Sequence, residues 1–253
     1  MNTLTVLFAI FQSKKKEEEN KMKLKGYAQL AATLRLKSGL HIGTGEKVER
    51  GEPLPVMSSS RTGLPYIPGS SLKGKMRCLF EMTYGRNETD PKDGGSPCWC
   101  GKCQICLLFG SGSSKNTAEP TRLIFRDSFL SKQSAELLEK IGLEEKPGVR
   151  IDRTSGKAAS GALFPMKRIP EGCEFDLEVS ARVFESDNVN SLRQWLEMGL
   201  FLMEQDALGG SGTRGSGYVE FDNIFFDGTE SAKDWRDVCK KNKDELLKKQ
   251  LKD

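Results

Sequence analysis

Four cysteines within nine residues are the part of this sequence whose type and spacing most directly predict chemistry. They form the pattern Cys-x-Cys-x2-Cys-x2-Cys. Four thiolates can enclose a zinc ion in a closed tetrahedral site with Zn–S bonds of about 2.3 Å. Iron–sulfur clusters also take four cysteine ligands, and uncoordinated or redox-active thiols are a further alternative. We predict a structural zinc site with the ligands Cys98, Cys100, Cys103 and Cys106.

Histidine chemistry is restricted, because the chain of 253 residues contains a single histidine, His41. This count excludes HExxH zinc hydrolases and catalytic histidine pairs, since both need two imidazoles. Four thiolates also leave zinc without the open position that a catalytic metal site requires. The other three cysteines lie in apolar patterns and are predicted to be buried thiols; they are Cys78, Cys173 and Cys239.

Two segments rich in glycine and serine predict the binding of phosphate groups. Residues 68–77, PGSSLKGKMR, combine small residues at the start of a predicted helix with three cations, and helix N-termini bind anions. Residues 209–217, GGSGTRGSG, offer backbone N–H groups and an arginine. Neither has the spacing of a Walker or dinucleotide motif. Either segment alone could be a flexible turn, but two cradles favour a polyanion over a single phosphate.

A third basic segment, residues 146–171, mixes cations with the apolar residues Phe164 and Met166. This composition suits a β-hairpin that follows a nucleic-acid backbone and inserts between stacked bases. An ordinary exposed hairpin has the same composition. The cations are Arg150, Arg153, Lys157, Lys167 and Arg168.

The charge of the whole chain is nearly balanced, with 39 basic and 35 acidic residues and a net charge of +4. The protein is therefore not a polycation, and phosphate contacts must come from local clustering. The apolar run at residues 4–11 is shorter than the roughly 20 residues that cross a membrane, and it lacks the basic region of a signal peptide. We predict a cytoplasmic protein without a membrane partner, in which thiols stay reduced.

The first 21 residues carry a further prediction about where the native chain starts. The sequence KEEENK ahead of Met22 can be encoded by a purine-rich ribosome-binding sequence. We predict that translation begins at Met22, and that residues 1–21 are a non-native or disordered extension.

Strands account for four segments. Apolar and polar residues alternate in residues 24–36 and 174–184, as in half-buried strands. Shorter strand-like runs lie at residues 122–126 and 218–226.

Three segments have helical periodicity. The first is predicted to be capped by Ser70 or Ser71, with an apolar face of Leu72, Met76, Leu79 and Phe80. The second runs from residue 192 to 208, stops at Gly209-Gly210, and has an apolar stripe of Leu192, Trp195, Leu196, Gly199, Leu200, Leu202 and Met203. The third, residues 231–251, is rich in lysine and carries Trp235, Val238, Cys239 and Leu246 on one side.

The order strand, helix, strands, helix, strand predicts an α+β fold of the ferredoxin-like or RRM-like kind. Residues 85–120 are too long for a simple connection, and we interpret them as a zinc-binding insertion. We assign residues 22–230 to one RRM-like domain that contains this insertion and the hairpin at 146–171. Residues 231–253 form a C-terminal basic helix.

Six blocks of the sequence resemble the RAMP superfamily, and more narrowly the repeating backbone subunit of type III CRISPR effector complexes. The resemblance runs from Met22 to Asp227, and the blocks PGSSLKG and GGSGTRG in this order are its most specific part. The blocks are residues 41–43, 63–77, 108–110, 122–127, 151–153 and 209–215.

The resemblance implies an RRM-like palm, a thumb hairpin within residues 146–171, and copies that stack along a guide CRISPR RNA to present it to target RNA. It also implies other effector subunits as partners, and some family members carry a zinc-bearing insertion. By the resemblance, the guide backbone is lined by His41, Ser70, Ser71, Lys73, Lys75, Arg77, Gly209, Gly210, Ser211, Gly212, Thr213 and Arg214. The RNA contacts expected from the thumb are Arg150, Arg153, Phe164 and Met166.

The sequence departs from the family at one catalytic position. Nuclease members carry an aspartate directly before an x-Pro-Val sequence, and the corresponding residue here is Pro53. Proline can neither accept a proton nor bind a metal through its side chain. Glu52 and Glu46 are nearby acids, but Glu52 is one position away, and reacting groups tolerate displacements of only about 1 Å. The loss fits type III-derived systems, such as type VII, in which a separate nuclease cuts the target.

Three functions follow from these observations. The leading hypothesis is a guide-RNA-binding backbone subunit without its own cleavage activity. Its rival within the family is a target-RNA endoribonuclease that uses Glu52 or Glu46 with Mg²⁺. From another class, a small-nucleotide phosphohydrolase would need clustered carboxylates, and the sequence has no such motif.

Overall fold

The computed structural model describes residues 22–46, 49, 52–85, 95–112 and 119–250, apart from the side chains at 162, 163 and 244–250. The predicted extension at residues 1–21 lies outside the described residues. Among the helices of these ranges, none has both the length and the apolar composition required to cross a bilayer.

Eleven strands and five α-helices make up the described ranges. In chain order, the strands are β1 (Leu24–Leu36), β2 (Tyr66–Ile67), β3 (Leu123–Phe125), β4 (Ser128–Leu130), β5 (Glu144–Lys146), β6 (Val149–Ile151), β7 (Ala158–Leu163), β8 (Met166–Arg168), β9 (Glu174–Phe184), β10 (Val219–Phe226) and β11 (Thr229–Glu230). The helices are α1 (Gly69–Tyr84), α2 (Gln104–Phe109), α3 (Lys132–Ile141), α4 (Val189–Glu204) and α5 (Trp235–Gln250).

The main sheet has seven antiparallel strands in the order β11-β10-β1-β9-β4-β2, with β3 also paired to β9. The long strands β1 and β9 form its centre, with Leu34 opposite Phe175 and Leu30 opposite Val179. Both strands alternate between buried and exposed side chains. Successive side chains of a strand point to opposite faces, so one face of the sheet is apolar, and the α+β class predicted from the sequence is confirmed.

Helices α1 and α4 cover the apolar face of the sheet. The predicted apolar face of α1 is buried, and so is the predicted stripe of α4, which includes Trp195, Leu196 and Leu200. Phe80 of α1 packs edge-on against Trp195, with ring centroids 5.2 Å apart. The buried residues of the two helices and of the sheet therefore form one continuous hydrophobic core.

Several helix boundaries differ from the prediction. Helix α4 ends at Glu204, before the glycines that were expected to stop it, and α5 begins at Trp235. Val238 of α5 is 40% exposed although it was placed on the apolar side, and the side chain of Leu246 lies outside the described residues. Helix α3 was not predicted, because its amphipathic turn buries only Ser134 and Leu138.

The cysteine-rich insertion is joined to the main core through α2. Ile105, Leu108 and Phe109 are each at most 2% exposed and belong to the core of the sheet and helices. The Phe109 ring lies 5.8 Å from Phe80 of α1 and 6.1 Å from Phe125 of β3. Residues 95–112 therefore pack as part of the main body.

Residues 144–168 form two pairs of short antiparallel strands. Strands β6 and β7 make a hairpin, and β5 pairs with β8 at its base. Almost every residue from Val149 to Gly161 is exposed. The hairpin predicted within residues 146–171 is therefore present and projects into solvent.

Candidate nucleic-acid interface and metal centre

The four clustered cysteines converge on one point. Their sulfur atoms all lie within 4.8 Å of one another, with 3.8 Å between Cys98 and Cys103 and 3.9 Å between Cys100 and Cys106. A tetrahedral site with bonds of about 2.3 Å has sulfur–sulfur edges of about 3.8 Å. The four thiols could therefore bind one metal ion.

The local backbone explains this convergence. Cys103 is the N-cap of α2, and its sulfur accepts the N–H of Cys106. The Cys100 sulfur accepts N–H groups from Lys102 and Cys103, and Gly101 takes a positive φ of 72° in this turn. Glycine adopts this backbone conformation without the steric cost that a side chain would add.

The thiols differ in acidity because their surroundings differ. Burial raises the pKa of Cys106 to about 11 and raises that of Cys103 further. Burial acts in the same direction on Cys100, but the N–H donors of Lys102 and Cys103 outweigh it and lower the pKa of Cys100 to about 6. Of these three sulfurs, Cys100 is therefore the one whose thiolate the backbone N–H groups stabilise most, and a bound cation would favour the thiolate form of each of them.

Arg77 and Glu81 of α1 bracket the first cysteine. Arg77 donates from its guanidinium to the carbonyl oxygens of Cys98, at 2.6 Å, and Gly110, at 2.8 Å. Glu81 accepts the Cys98 N–H at 2.9 Å and the Arg77 Nε–H at 2.9 Å. The resemblance had placed Arg77 on the guide RNA, but the structure places it on the cysteine segment.

The N-terminus of α1 is occupied by a carboxylate of the chain itself. The N–H of Gly69 donates to Asp127 Oδ1 at 2.8 Å, and Pro68 is the N-cap residue without a side-chain cap. The prediction that Ser70 or Ser71 caps the helix is therefore wrong. Asp127 supplies the negative charge that a helix N-terminus favours, while Ser70 is exposed.

The two lysines of α1 lie in different environments. Lys75 forms an ion pair with Asp206 at 3.3 Å, which links α1 to the loop before the glycine-rich segment. Burial, and then the charge of Arg77, lower the pKa of Lys73. Lys73 is therefore a partly desolvated cation that an incoming phosphate would stabilise.

The glycine-rich loop, residues 209–217, lies against two backbone carbonyls. A Cβ on Gly209 would lie 2.3 Å from the His41 carbonyl oxygen, and one on Gly217 would lie 1.9 Å from that of Leu208. Both glycines have positive φ angles of 74° and 78°. Only glycine therefore fits at positions 209 and 217 without a shift of the backbone. Between these positions, residues Gly212–Arg214 form a short 3-10 helix.

His41 joins the glycine-rich loop to the base of the hairpin. Its carbonyl oxygen accepts the Gly210 N–H at 2.8 Å, and its Nδ1 lies 2.7 Å from the carbonyl oxygen of Lys167 in β8. The side chain is only 7% exposed. The structure thus places His41 beneath the loop that the resemblance assigns to the guide RNA.

Two further contacts fix the loop to the hairpin. Arg168 of β8 is 8% exposed and donates to Ser216 Oγ at 3.1 Å and to Glu144 at 2.5 Å. Lys146 of β5 donates to the carbonyl oxygen of Arg214 at 3.1 Å. The loop and the hairpin base therefore form one unit.

A groove opens where the hairpin faces the loop. It has a volume of about 970 Å³. Its lining contains three cations, one carboxylate and several apolar side chains, and includes Arg150, Arg153, Arg214, Asp152, Val149, Ile151 and Phe164. The Arg214 guanidinium lies 5.8 Å from the centre of the Phe164 ring, within the range of a cation–π contact. Positive charge and exposed apolar surface thus occur side by side.

The two predicted apolar wedges differ in exposure. Phe164 is 37% exposed at the groove, whereas Met166 is 5% exposed. Met166 lies in β8, where side chains alternate, so Met166 and Arg168 point inward and Lys167 points outward. The prediction of an exposed wedge at Met166 is therefore wrong.

The hairpin tip is shaped by Asp152. Its carboxylate accepts the N–H groups of Thr154 and Ser155 and the hydroxyl of Ser155. These bonds, with those from Ser155 the strongest, lower the pKa of Asp152. Arg150 precedes this turn and Arg153 lies within it, and both are exposed, so both cations are available to a ligand.

The segment around Pro53, which the resemblance compares with the catalytic loop of nuclease members, runs along β8. Leu54 exchanges backbone hydrogen bonds with Pro165 and Lys167, which places the neighbouring Pro53 beside the hairpin base. Glu52 and Glu46 are exposed. In the parts of the chain that the structure describes, the four cysteines are the only group of three or more candidate ligands close enough to share a metal.

The sequence did not predict the contacts that three residues of this region make: those of Asp127, Lys146 and Arg168. Arg168 and Lys146 lie within the basic segment, but their partners are up to 68 residues away. Asp127 lies in the Arg-Leu-Ile-Phe-Arg-Asp block, and that block was the available signal for a structural role.

A family model described as the RAMP superfamily matches residues 33–220. The chain belongs to the RAMP superfamily. Two RAMP relatives bear the name CRISPR system Cms endoribonuclease Csm3. One, from Methanothermobacter thermautotrophicus, is 40% identical over 209 residues, which cover 74% of this chain and 80% of the relative. The other, from Methanocaldococcus jannaschii, is 35% identical over 219 residues, which cover 83% and 88%.

A solved structure of the Csm3-Csm4 subcomplex in the type III-A CRISPR-Cas interference complex contains a similar chain. The TM-score is 0.54 and the sequence identity 28%, and the match covers 87% of this RAMP chain and 97% of the solved one. The similarity therefore extends over nearly the whole fold.

Proposed function

We propose that this protein is a guide-RNA-binding backbone subunit of a type III or type III-derived CRISPR effector complex. Copies stack along the guide RNA and present it for pairing with target RNA. The observation that carries the proposal is the groove between the hairpin and the glycine-rich loop, in a chain whose relatives are Csm3 proteins.

The fold supports this reading. The order β10-β1-β9-β3, with α1 after β1 and α4 after β9, corresponds to the 4-1-3-2 strand order of an RRM-like palm. We assign the hairpin of β6 and β7 as the thumb. Because the hairpin projects into solvent, it could reach between bases of an RNA that follows the groove.

The charges of the groove fit a phosphate backbone. Arg150, Arg153 and Arg214 lie on two sides of it, and Phe164 offers an aromatic face on which a base can stack. The protein would hold backbone and shape, while pairing with the guide reads the target sequence. We expect indirect roles for His41 and Arg77, because their polar atoms contact the protein itself.

For the cysteine centre we propose structural zinc. The sulfur–sulfur distances fit a tetrahedral ion, and four thiolates are a common zinc ligand set. Cys98, Cys100, Cys103 and Cys106 would hold the ion, and it would cross-link residues 98–100 to the start of α2.

We further propose that the chain does not cleave target RNA itself, because Pro53 stands at the family's catalytic position. The second candidate function is a Mg²⁺-dependent target-RNA endoribonuclease with Glu52 or Glu46, and the names of the relatives favour it. A small-nucleotide phosphohydrolase gains no support, since the described residues contain no cluster of carboxylates that could share a metal.

The RNA proposal is tested by the nucleic acid that copurifies with the protein. We expect RNA of repeat-plus-spacer sequence. We also expect the affinity for single-stranded RNA to fall steeply with salt, with a slope of about −0.7 for each neutralised phosphate. An affinity that does not change with salt would refute RNA binding by the groove.

The cleavage proposal is tested with the assembled complex, complementary labelled RNA and Mg²⁺. We expect no regularly spaced products from the wild type. Pro53→Asp restores the family's carboxylate and is the matched gain-of-function variant. Regularly spaced products that disappear in Glu52→Ala would establish the endoribonuclease instead.

A further inference from the structure

We propose that Arg77 and Glu81 are positioning residues that hold the cysteine centre in its metal-binding geometry and so set its affinity for zinc. The inference rests on the proposed zinc site and does not depend on RNA binding. It gives a function to a partly buried ion pair that lies on α1, outside the cysteine segment itself.

Cys98 is the ligand that depends on this pair. Cys103 and Cys106 are fixed by α2, and Cys100 is fixed by the turn that follows it. The backbone of Cys98 instead hydrogen-bonds to α1 on both sides: its N–H donates to Glu81 and its carbonyl oxygen accepts from Arg77. Arg77 also holds Gly110, the C-cap of α2. One guanidinium therefore connects Cys98, the first of the four cysteines, to Gly110, the residue at the end of α2.

Burial and charge both strengthen this arrangement. The side chains of Arg77 and Glu81 are only 16% and 9% exposed, so water competes weakly for their hydrogen bonds. A zinc ion with four thiolates carries a net charge of −2, and a cation beside it stabilises the loaded centre. Groups that orient metal ligands from outside typically change metal affinity by about 10–100-fold when they are mutated.

The geometry also separates this role from direct RNA binding. All three nitrogens of the Arg77 guanidinium have protein acceptors: Nε donates to Glu81 and the two terminal nitrogens donate to carbonyl oxygens. A phosphate ligand would have to break these bonds. Arg77 therefore positions the cysteine centre. Lys73, which is close enough to feel the charge of Arg77, is the cation of α1 that could still contact a phosphate.

The chain contains a matched control. Arg193 and Glu197 of α4 form an ion pair with the same i,i+4 spacing and the same 2.9 Å distance, with side chains 25% and 13% exposed. Arg77→Lys and Glu81→Gln are compared with Arg193→Lys and Glu197→Gln in the full-length protein. Zinc affinity is measured by competition with a chromogenic chelator, and the ligand set by the thiolate charge-transfer absorption of bound Co²⁺.

We expect zinc affinity to fall by about 10–100-fold in Arg77→Lys and Glu81→Gln and to stay at the wild-type value in the α4 variants. The Co²⁺ absorption should keep its intensity, because all four thiolates remain. The melting temperature of the metal-free protein should change by a similar amount in the α1 and α4 variants. The rise in melting temperature on adding zinc should be smaller than in the wild type only in the α1 variants.

Equal zinc affinity in wild type and α1 variants would overturn the inference, and so would an equal loss in the α4 variants, which would indicate general destabilisation. If Arg77→Lys does not fold, Glu81→Gln carries the test, because glutamine keeps the size of glutamate but has no charge, so its oxygen holds the Cys98 N–H and the Arg77 Nε–H more weakly. A wild type that binds no zinc would refute the metal proposal itself. None of these measurements depends on RNA binding, so a failure of the RNA-binding proposal can be distinguished from a failure of this inference.

Discussion

Substitution of Gly209 by alanine tests how closely the glycine-rich loop must approach His41. Gly209 has a φ of 74°, a conformation that costs alanine about 1 kcal/mol relative to glycine. Its new Cβ would lie 2.3 Å from the His41 carbonyl oxygen, whereas ordinary contacts begin at 3.4 Å. The loop must therefore move by about 1 Å to relieve the overlap.

This movement breaks the hydrogen bond from the Gly210 N–H to the His41 carbonyl oxygen, now 2.8 Å long. Such a bond contributes about 1 kcal/mol. Together with the backbone conformation, we expect Gly209→Ala to lower the free energy of unfolding by about 2–3 kcal/mol. RNA affinity should fall by about tenfold, because RNA must then restore the loop at a cost of about 1.4 kcal/mol.

Gly215→Ala is the matched control. Gly215 has a similar φ of 80°, but a Cβ there would have no atom within 4 Å. It should lose only about 1 kcal/mol and keep its RNA affinity. Urea unfolding followed by circular dichroism gives the stabilities, and filter binding of labelled guide RNA gives the affinities. If Gly209→Ala behaves like Gly215→Ala in both assays, the close approach to His41 has no energetic consequence and the reasoning fails.

Three other perturbations have distinct expected outcomes. Glu204 is 7% exposed and accepts two hydrogen bonds from Arg236 and one from the Phe221 N–H. Glu204→Gln should therefore lower the free energy of unfolding, measured in urea, by about 2–3 kcal/mol. This is less than the usual loss for a broken buried pair, because Arg236 is 40% exposed. A cost under about 1 kcal/mol would contradict this. Iodoacetamide at pH 8.5 should label the exposed Cys78 and spare Cys239. Burial raises the pKa of Cys239 to about 12, and the thiolate is the form that reacts. Mass spectrometry of the peptides measures the labelling, and faster labelling of Cys239 than of Cys78 would contradict the prediction. Arg153→Gln should reduce the salt slope of RNA binding by about 0.7, and an unchanged slope would remove Arg153 from the interface.

The strands were predictable because burial on one face leaves a period of two in the sequence. The alternation in residues 24–36 and 174–184 gave strand bounds that the structure reproduces. Helix α2 was missed because it has only six residues, and because Cys106 within it was assigned to the cysteine cluster rather than to a helix. Cys78, predicted to be buried, is exposed, since an apolar neighbourhood in sequence does not fix which side of a helix faces solvent.

The candidate site was predictable as a set of segments, but not as a set of contacts. Spacing alone identified the four cysteines, because they lie close together in the chain. The roles of Arg77 and Asp127 depended on partners 21 to 58 residues away. Composition cannot tell a cation that faces solvent from one that holds a distant carbonyl, and the same limit applies to Met166.

The packing of α2 has a consequence for how the protein can be engineered. Because Ile105, Leu108 and Phe109 are part of the main core, excising the cysteine segment would remove large apolar side chains at about 2–5 kcal/mol each, from a total stability of about 5–15 kcal/mol. The segment therefore cannot be trimmed to a short linker to make a minimal scaffold. A metal-independent version would have to keep these three residues and replace the four cysteines with a covalent or apolar cross-brace. Foreign peptides or tags are better grafted at the hairpin tip, where almost every residue is exposed.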